Sequence, residues 1–327
     1  MFTRLLVPLD RSALAEQAIG RAAAIARASG ASLDVMLVSQ SAQLSVLGDE
    51  PAMVAIQEQS DERYVADLAD ALARSASIST THKVLRGNVV ASITSRAREI
   101  GADLIVMTSH ARTGLSRTWL GSVADGVIRN SETPVLMLRP VLDIPWRLAP
   151  RDLFHRILVP LDSSAAALQV LEPASALSHC NGARLMLLRV VRPVPLIAPD
   201  ASLAFMYPTL IPDDRATAAL VDEAKHDLDK IARGFAAHAH VEVEQHVVVS
   251  DHVAQAVLDF ARTRGADMIA MCTHGRGTSR LVIGSMADKV VRASGLPVLL
   301  YRPTAAHPNT LMDFAREEEI SPQFATI

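Results

Sequence analysis

The chain contains the same set of sequence blocks twice, and this duplication constrains its fold more than any other feature. Four blocks in the first half return in the same order in the second half. Each set spans about 140 residues, which is enough for one copy to bury its own core. The repeat therefore predicts two similar tandem domains rather than a solenoid. The paired blocks are Arg4–Ser12 with Arg156–Ser164, Gly101–Met107 with Gly265–Met271, Gly121–Asp125 with Gly284–Asp288, and Thr133–Pro140 with Leu296–Pro303.

The spacing between equivalent residues locates the domain boundaries. The offset between the copies is 152 at Asp10 and Asp162 but 164 at Gly101 and Gly265. The second copy therefore holds an insertion, which we place in the proline-rich stretch 192–214 and predict to be a loop. We predict a first domain at residues 1–142, a linker at 143–152, a second domain at 153–304 and a loosely held C-terminal tail at 305–327.

Within each copy, short apolar runs alternate with segments of helical periodicity. The run 5–9 is continuously apolar, which is typical of a parallel strand buried on both faces. Ser12 is placed to cap the helix that follows, and Gly30 is placed to end it. The alternation predicts an α/β fold of two tandem doubly wound domains, each a parallel sheet with helices on both faces. Further strands are expected near 33–38, 82–85, 104–107 and 135–138, with helices within 51–76 and at 89–100 and 122–130.

Composition excludes several classes of partner. The 32 basic and 35 acidic residues give a formal net charge of −3, which is unlike the positive field of a nucleic-acid-binding protein. The apolar runs are far shorter than the roughly 20 residues that cross a bilayer, and no signal-like apolar segment precedes Pro8. Two cysteines, Cys180 and Cys272, cannot form a disulfide framework. We therefore expect a cytoplasmic protein that binds neither nucleic acid nor a membrane.

Taken together, these motifs resemble those of the universal stress protein (UspA) family. The similar blocks are those around Asp10, at 102–112, at Gly121–Asp125 and at Thr133–Pro140, and they return in the second copy. The resemblance covers about nine-tenths of the chain and implies a tandem member of the family. It also implies a five-stranded parallel sheet of order 3-2-1-4-5 in each domain, and a role in the stress response. Some members of the family bind ATP and others do not.

In the implied strand order, strands 1 and 4 are neighbours whose connections leave in opposite directions, and ligands bind at such a switch point. Asp10 follows strand 1, and Gly121 with Ser122 begins a helix whose positive end suits a phosphate. The resemblance implies that ATP or a related adenine nucleotide binds here, with Mg²⁺ as a further expectation. Candidate binding residues of the first copy are Pro8, Asp10, Ser12, Val38, Thr108, His110, Ala111, Arg112, Gly121, Ser122 and Val123. Those of the second copy are Pro160, Asp162, Ser164, Val190, His274, Gly275, Arg276, Gly284, Ser285 and Met286.

Neither copy matches the full phosphate signature of the ATP-binding members, which is Gly-x-x-Gly, nine residues, then Gly-Ser or Gly-Thr. The first copy keeps the spacing but has Thr108 and Ala111 in place of the glycines. In the second copy, Cys272 replaces the first glycine, Gly275 remains, and the loop before Gly284 is one residue short. A missing residue removes up to about 3.5 Å of reach. We therefore expect the first copy to be the better nucleotide site.

Other interpretations of the same residues remain open at this point. Asp10 and Asp162 could simply cap the following helices, and Ser122 and Ser285 are expected to be N-caps with or without a phosphate. Because no general base or metal-binding carboxylate repeats in both copies, we expect a binding protein without catalytic residues, and a slow ATPase is the least favoured function. The alternative to nucleotide binding is a stress scaffold or interaction module whose two sites are empty.

A second polar cluster resembles a metal site in the sequence alone. The alternate residues from 238 to 246 would share one face of a strand. Because the first copy has nothing similar at its third strand, which should be a sheet edge, we interpret the cluster as a solvated face and predict no metal site. The residues concerned are His238, His240, Glu242, Glu244 and His246.

The last strand of each copy should leave an apolar edge that needs a partner. These strands are 135–138 and 298–300. Uncovered strand edges are templates for pairing, so we predict that the two edges meet and form an intramolecular pseudo-dimer. A homodimer of chains and an unidentified protein partner remain further possibilities.

Overall fold

The computed structural model describes residues 1–39, 51–109, 120–140, 152–162, 164–197, 210–273 and 283–303. They form two α/β units that share one ten-stranded sheet, together with a separate two-stranded sheet. The elements of the first unit are β1 (Arg4–Leu9), α1 (Ala13–Ser29), β2 (Ser32–Ser39), α2 (Pro51–Ala76), β3 (Thr80–Arg86), α3 (Val89–Glu99), β4 (Leu104–Thr108), α4 (Ser122–Asn130) and β5 (Val135–Leu138).

The second unit has the same order of elements with two changes. Two short helices follow its first strand, and a pair of short strands follows its second strand. Its elements are β6 (Arg156–Pro160), α5 (Ala165–Leu168), α6 (Leu171–Ser178), β7 (Arg184–Val191), β8 (Pro195–Ile197), β9 (Leu210–Pro212), α7 (Asp214–Ala239), β10 (Val243–Val249), α8 (Val253–Thr263), β11 (Met268–Cys272), α9 (Ser285–Ala293) and β12 (Val298–Tyr301).

The sheet runs in the order β10-β7-β6-β11-β12-β5-β4-β1-β2-β3. The strands pair in parallel within each unit, and β5 pairs with β12 in antiparallel at the centre. Leu136 lies opposite Leu299 in this register. The prediction that the two final strands meet is therefore confirmed. Their antiparallel direction is what a local twofold relation between the copies requires.

Alternation along the strands builds one hydrophobic core on each face of the sheet. Leu5 and Val7 point into one core and Leu6 into the other, and all three side chains are inaccessible to solvent. Each core contains residues of both units. In the first core, Leu136 and Leu299 meet at the junction. The two units are thus joined by a shared interior as well as by strand pairing.

Two arginines reinforce the junction between the units. Arg139, just after β5, donates from Nε to the carbonyl oxygen of Ser294 at 3.0 Å and from Nη2 to that of Val291, at the end of α9. Arg302, just after β12, donates from Nη1 to the carbonyl oxygen of Arg129 at 3.0 Å, near the end of α4. Each unit therefore supplies a cation to the negative end of a helix in the other.

The second copy departs from the first where a single helix is replaced by α5 and α6. Pro173 explains the break, because it has no N–H to donate to the carbonyl of Gln169 and its ring crowds that carbonyl. Hydrogen bonds at the break span three residues instead of four: Gln169 donates to Ala166, and Val170 to Ala167. The expectation that the second copy repeats the first is wrong at this element.

Part of the insertion is ordered, which the prediction of a loop missed. Strands β8 and β9 pair in antiparallel, with Leu196 opposite Ile211. Thr217 in the first turn of α7 ties this pair to the helix, since its Oγ1 accepts a hydrogen bond from the N–H of Val194 at 3.0 Å. Residues 198–209 lie outside the described part of the chain.

The predicted histidine and glutamate face is not a single strand face. Helix α7 runs to Ala239 and is capped by His240 at a φ of 49°, so β10 begins only at Val243. Of the five residues, only Glu244 and His246 belong to the strand, and Glu244 forms ion pairs with Arg184 and His246. Among the described residues, no group of three or more His, Cys, Asp or Glu side chains is placed to hold a metal ion.

Candidate functional site

A cavity of about 860 Å³ lies at the carboxyl ends of the central strands of the second unit. It is bounded by the ends of β6, β7 and β11, by α7 and α8, and by the first turn of α9. The structure brings six of the candidate residues of the second copy to its wall, and they are Pro160, Asp162, Val190, Gly284, Ser285 and Met286. His274, Gly275 and Arg276 lie outside the described residues.

The aspartate after the first strand of each unit is held in the same turn. Asp162 Oδ1 accepts hydrogen bonds from the N–H of Ser164 at 3.1 Å and from its hydroxyl at 2.5 Å. Asp10 Oδ1 accepts from the N–H of Ser12 at 2.9 Å. The N-caps are the serines themselves, since Ser12 accepts from the N–H of Ala15 and Ser164 from that of Ala167. The interpretation of these aspartates as helix caps is therefore wrong, whereas that of Ser12 is confirmed.

Helices α4 and α9 begin at N-cap residues that have no side chain to cap the first backbone N–H groups. Gly121 and Gly284 are the N-caps, so the expectation that Ser122 and Ser285 cap these helices is wrong. The extended backbone of the glycine places each serine inside the first turn. A helix start of this kind attracts anions, because unpaired N–H groups and the positive end of the dipole coincide.

Gly284 lies where the start of α9 comes close to the end of β11. Its N–H donates to the carbonyl oxygen of Thr273 at 2.7 Å, which ties the start of α9 to the end of β11. A Cβ at this position would lie 3.2 Å from the same oxygen. A side chain at this position would require the helix start or the strand end to shift by a few tenths of an ångström.

Sequence reasoning missed the charged side chains around this cavity. Arg189 comes from β7, lines the cavity and is 7% exposed; its Nη1 donates to the carbonyl oxygen of Leu161 at 3.3 Å. Its Nη2 lies 3.6 Å from the carboxylate of Asp227 on α7, and Glu223 and Arg192 also line the wall. The sequence feature that could have indicated this charge is Arg189 itself, an arginine among the apolar residues of a strand.

Cys272 lies in the cavity wall, in place of the first glycine of the signature. Its thiol donates to the carbonyl oxygen of Ala166 at 3.0 Å, and burial raises the pKa of this thiol to about 12. The interpretation of Cys272 as a small buried apolar group is confirmed, since the residue is 8% exposed.

In the first unit, the side chain of Arg11, which lies just after the end of β1, contacts three residues of α2. Arg11 has a φ of 66° and donates from Nη1 to Asp61 Oδ1 at 2.9 Å and from Nη2 to Ser60 Oγ at 2.9 Å. Its guanidinium lies 5.1 Å from the ring centre of Tyr64, whose hydroxyl donates to Glu16 at 2.6 Å. Burial, reinforced by this bond to Glu16, raises the pKa of Tyr64 well above its ordinary value.

The other candidate residues of the first copy are partly described. Pro8 and Thr108 are buried at the ends of β1 and β4, and Val38 and Val123 are half-buried. His110, Ala111 and Arg112 lie outside the described residues.

The sequence profile of the Universal stress protein family matches residues 1–139 and 153–302. This chain belongs to the universal stress protein family. The two matched segments correspond to the two units, and the family match accords with the observed α/β fold.

Several universal stress proteins are similar to parts of this chain. Universal stress protein MJ0531 of Methanocaldococcus jannaschii is 29% identical over 153 residues, which are 46% of this chain and 84% of that protein. Universal stress protein Mb2028c of Mycobacterium bovis is 27% identical over 203 residues, which are 62% of each chain. The crystal structure of a universal stress protein from Archaeoglobus fulgidus has a TM-score of 0.65 and 21% identity, and the match covers 93% of this chain and 97% of that one. This last likeness supports the fold of the tandem pair.

A search of the described helices for membrane spans found none that is both long and apolar enough to cross a bilayer.

Proposed function

We propose that this universal stress protein is a stress-response regulator that binds ATP or a related adenine nucleotide and does not turn over a metabolic substrate. The nucleotide would bias the contacts of the protein with a partner, in the cytoplasm. The proposal rests chiefly on the cavity in the second unit, where a fixed carboxylate and an uncapped helix start face one space.

The lining of this cavity suits the parts of a nucleotide. Asp162 offers a carboxylate to an amino or hydroxyl donor of the adenosine, and the first turn of α9 offers backbone N–H groups to phosphate. Apolar side chains from β7 and α8 give surfaces for the faces of a base, and they include Leu188, Val190, Val253 and Val257. Any Mg²⁺ would arrive with the phosphates, because the described residues hold no group of metal ligands.

A scaffold without a nucleotide is the second candidate. It is favoured by Thr108 and Cys272, which stand at the positions where the ATP-binding signature has its first glycine. Both residues are buried, so neither position leaves the backbone bare for a phosphate. The two functions differ in one observable, which is whether the purified chain binds ATP.

The deciding experiment combines nucleotide release with titration. Purified protein is denatured and the released nucleotide is identified by chromatography, and nucleotide-free protein is titrated with ATP by calorimetry. We expect a saturable heat of binding below millimolar ATP. Absence of both released nucleotide and binding at millimolar ATP would refute the proposed regulator and favour the scaffold.

Replacing the carboxylate at the cavity tests the same proposal at one residue. Asp162→Ala should weaken ATP binding by about 1–3 kcal/mol, or roughly five- to a hundredfold, because a hydrogen bond to a charged acceptor is lost. Asp162→Asn keeps the side-chain size and serves as the matched variant for packing. Binding that is unchanged in both variants would place the adenosine elsewhere.

A further inference from the structure

The long central helices of the two units can be compared position by position. Helices α2 and α7 each have 26 residues, and their burial patterns agree when they are aligned from their first residues. In this alignment Asp61, at 2% exposure, corresponds to Ala224, at 5% exposure. Ser60 and Tyr64 correspond to Glu223 and Asp227.

The same three helix positions have opposite surroundings in the two units. In the second unit, Glu223, Ala224 and Asp227 line the open cavity. In the first unit, the guanidinium of Arg11 contacts all three counterparts, which are the hydroxyl of Ser60, the carboxylate of Asp61 and the ring of Tyr64. The cleft beside the end of β1 is therefore spanned by a side chain of the chain itself.

Displacing Arg11 from this place would be costly. Its partner Asp61 is buried, and its Oδ1 accepts from both Arg11 and Gln57 Nε2 at 2.9 Å. A ligand that pushed the guanidinium aside would leave a buried carboxylate without its countercharge, and a phosphorylated ligand would add further negative charge. The cost comes from Asp61, whose side chain is 2% exposed, rather than from Arg11, whose side chain is 34% exposed.

We propose that Arg11 closes the nucleotide cleft of the first unit, so that the chain binds one adenine nucleotide, in the second unit. This inference rests on the proposed function and assigns it to one copy. It reverses the expectation from the signature loops, which favoured the first copy. The spacing of the signature loops gives no information about the contacts of Arg11, because its partners lie about 50 residues away on another element.

Calorimetric titration of the full chain with ATP and Mg²⁺ tests the proposal through stoichiometry. The wild type should bind one equivalent, and Asp162→Ala should weaken that binding. The double variant Arg11→Gly with Asp61→Ala should bind two equivalents, because it removes the guanidinium together with the carboxylate that would be left unpaired. Glycine at position 11 adopts the observed φ of 66° without strain.

A matched control removes another arginine and acidic residue from the same region. Arg86 pairs with Glu58 on α2, about one turn before Asp61, and Arg86→Gly with Glu58→Ala should still bind one equivalent. The reciprocal variant, Ser163→Arg with Ala224→Asp, introduces the arginine and aspartate pair into the second unit and should weaken binding at least about tenfold. This variant also tests the proposal if the opened variant does not fold.

The outcomes separate the two proposals. Two equivalents in the wild type, one equivalent in the opened variant, or full affinity in the reciprocal variant would each overturn the closure by Arg11 while leaving nucleotide binding intact. No binding by the wild type would refute the proposed function and this assignment together.

Discussion

Two aspartates near the end of β1 accept hydrogen bonds over very different sequence distances. Asp10 accepts from the N–H of Ser12, two residues away, and Asp61 accepts from the guanidinium of Arg11, 50 residues away. The positions of Asp10, Asp162 and Gly284 were predictable, because a carboxylate after a strand and a glycine before a helix form a local pattern. Arg11 and Asp61 were not, since their ion pair joins residues on different elements and has no spacing rule. The backbone framework of the candidate site was thus predictable from the sequence, whereas the contact between Arg11 and Asp61 was not.

Both cysteine thiols should be unreactive in the folded protein. Burial raises the pKa of Cys180 to about 11 and that of Cys272 to about 12, so near pH 8 both remain protonated, and the thiolate is the reactive form. We expect labelling by a thiol reagent at pH 8 to be slow for native protein and to reach two groups per chain after denaturation. Rapid native labelling of either cysteine would contradict this expectation.

At the scale of elements, periodic segments were predictable to within a residue or two and irregular ones were not. Helix α4 and strand β5 match their predicted ranges, because each is a compact apolar pattern bounded by Gly or Pro. Strands β8 and β9 were missed because three residues are too few to show a period, and their prolines indicated a loop. Pro173 indicates a helix break in the sequence, but the similarity of the two copies led us to expect an unbroken helix as in the first copy.

Two glycine substitutions in helices should have opposite effects on stability. Gly30 ends α1 at a φ of 73°, where alanine is strained, so Gly30→Ala should lower the free energy of unfolding by about 1 kcal/mol. Gly234 lies inside α7 with ordinary φ. Outside the nearby backbone of its own helix, no described atom lies within 4 Å of the place a methyl group would take, so Gly234→Ala should raise the free energy of unfolding by about 1 kcal/mol. Denaturant titration of the two variants beside the wild type measures both changes, and equal signs would contradict the different roles of the two glycines.

At the scale of the whole molecule, the described parts of the two units share one ten-stranded sheet, so we expect them to unfold together. The antiparallel pairing of β5 with β12 removes both apolar edges from solvent, and each core passes through the junction. Arg139 is half-buried at this junction, and desolvation lowers the pKa of its guanidinium. Its Nη1 also donates to Ser109 Oγ at 3.0 Å. One guanidinium thus bonds, through different nitrogens, to the end of β4 and to the end of α9.

A charge placed in the central strand pair should loosen the two halves. Leu136 and Leu299 face each other across the junction and are both inaccessible to solvent, so Leu136→Asp would bury a carboxylate against apolar neighbours. We expect the variant to unfold at lower denaturant than the wild type, or in two transitions instead of one, and we expect its radius of gyration from small-angle scattering to rise. The control is Val249→Asp at the outer edge strand β10, where the side chain is 47% exposed and a charge should change stability by less than about 0.5 kcal/mol. If Leu136→Asp keeps the scattering profile and the unfolding midpoint of the wild type, the shared sheet does not hold the two units together.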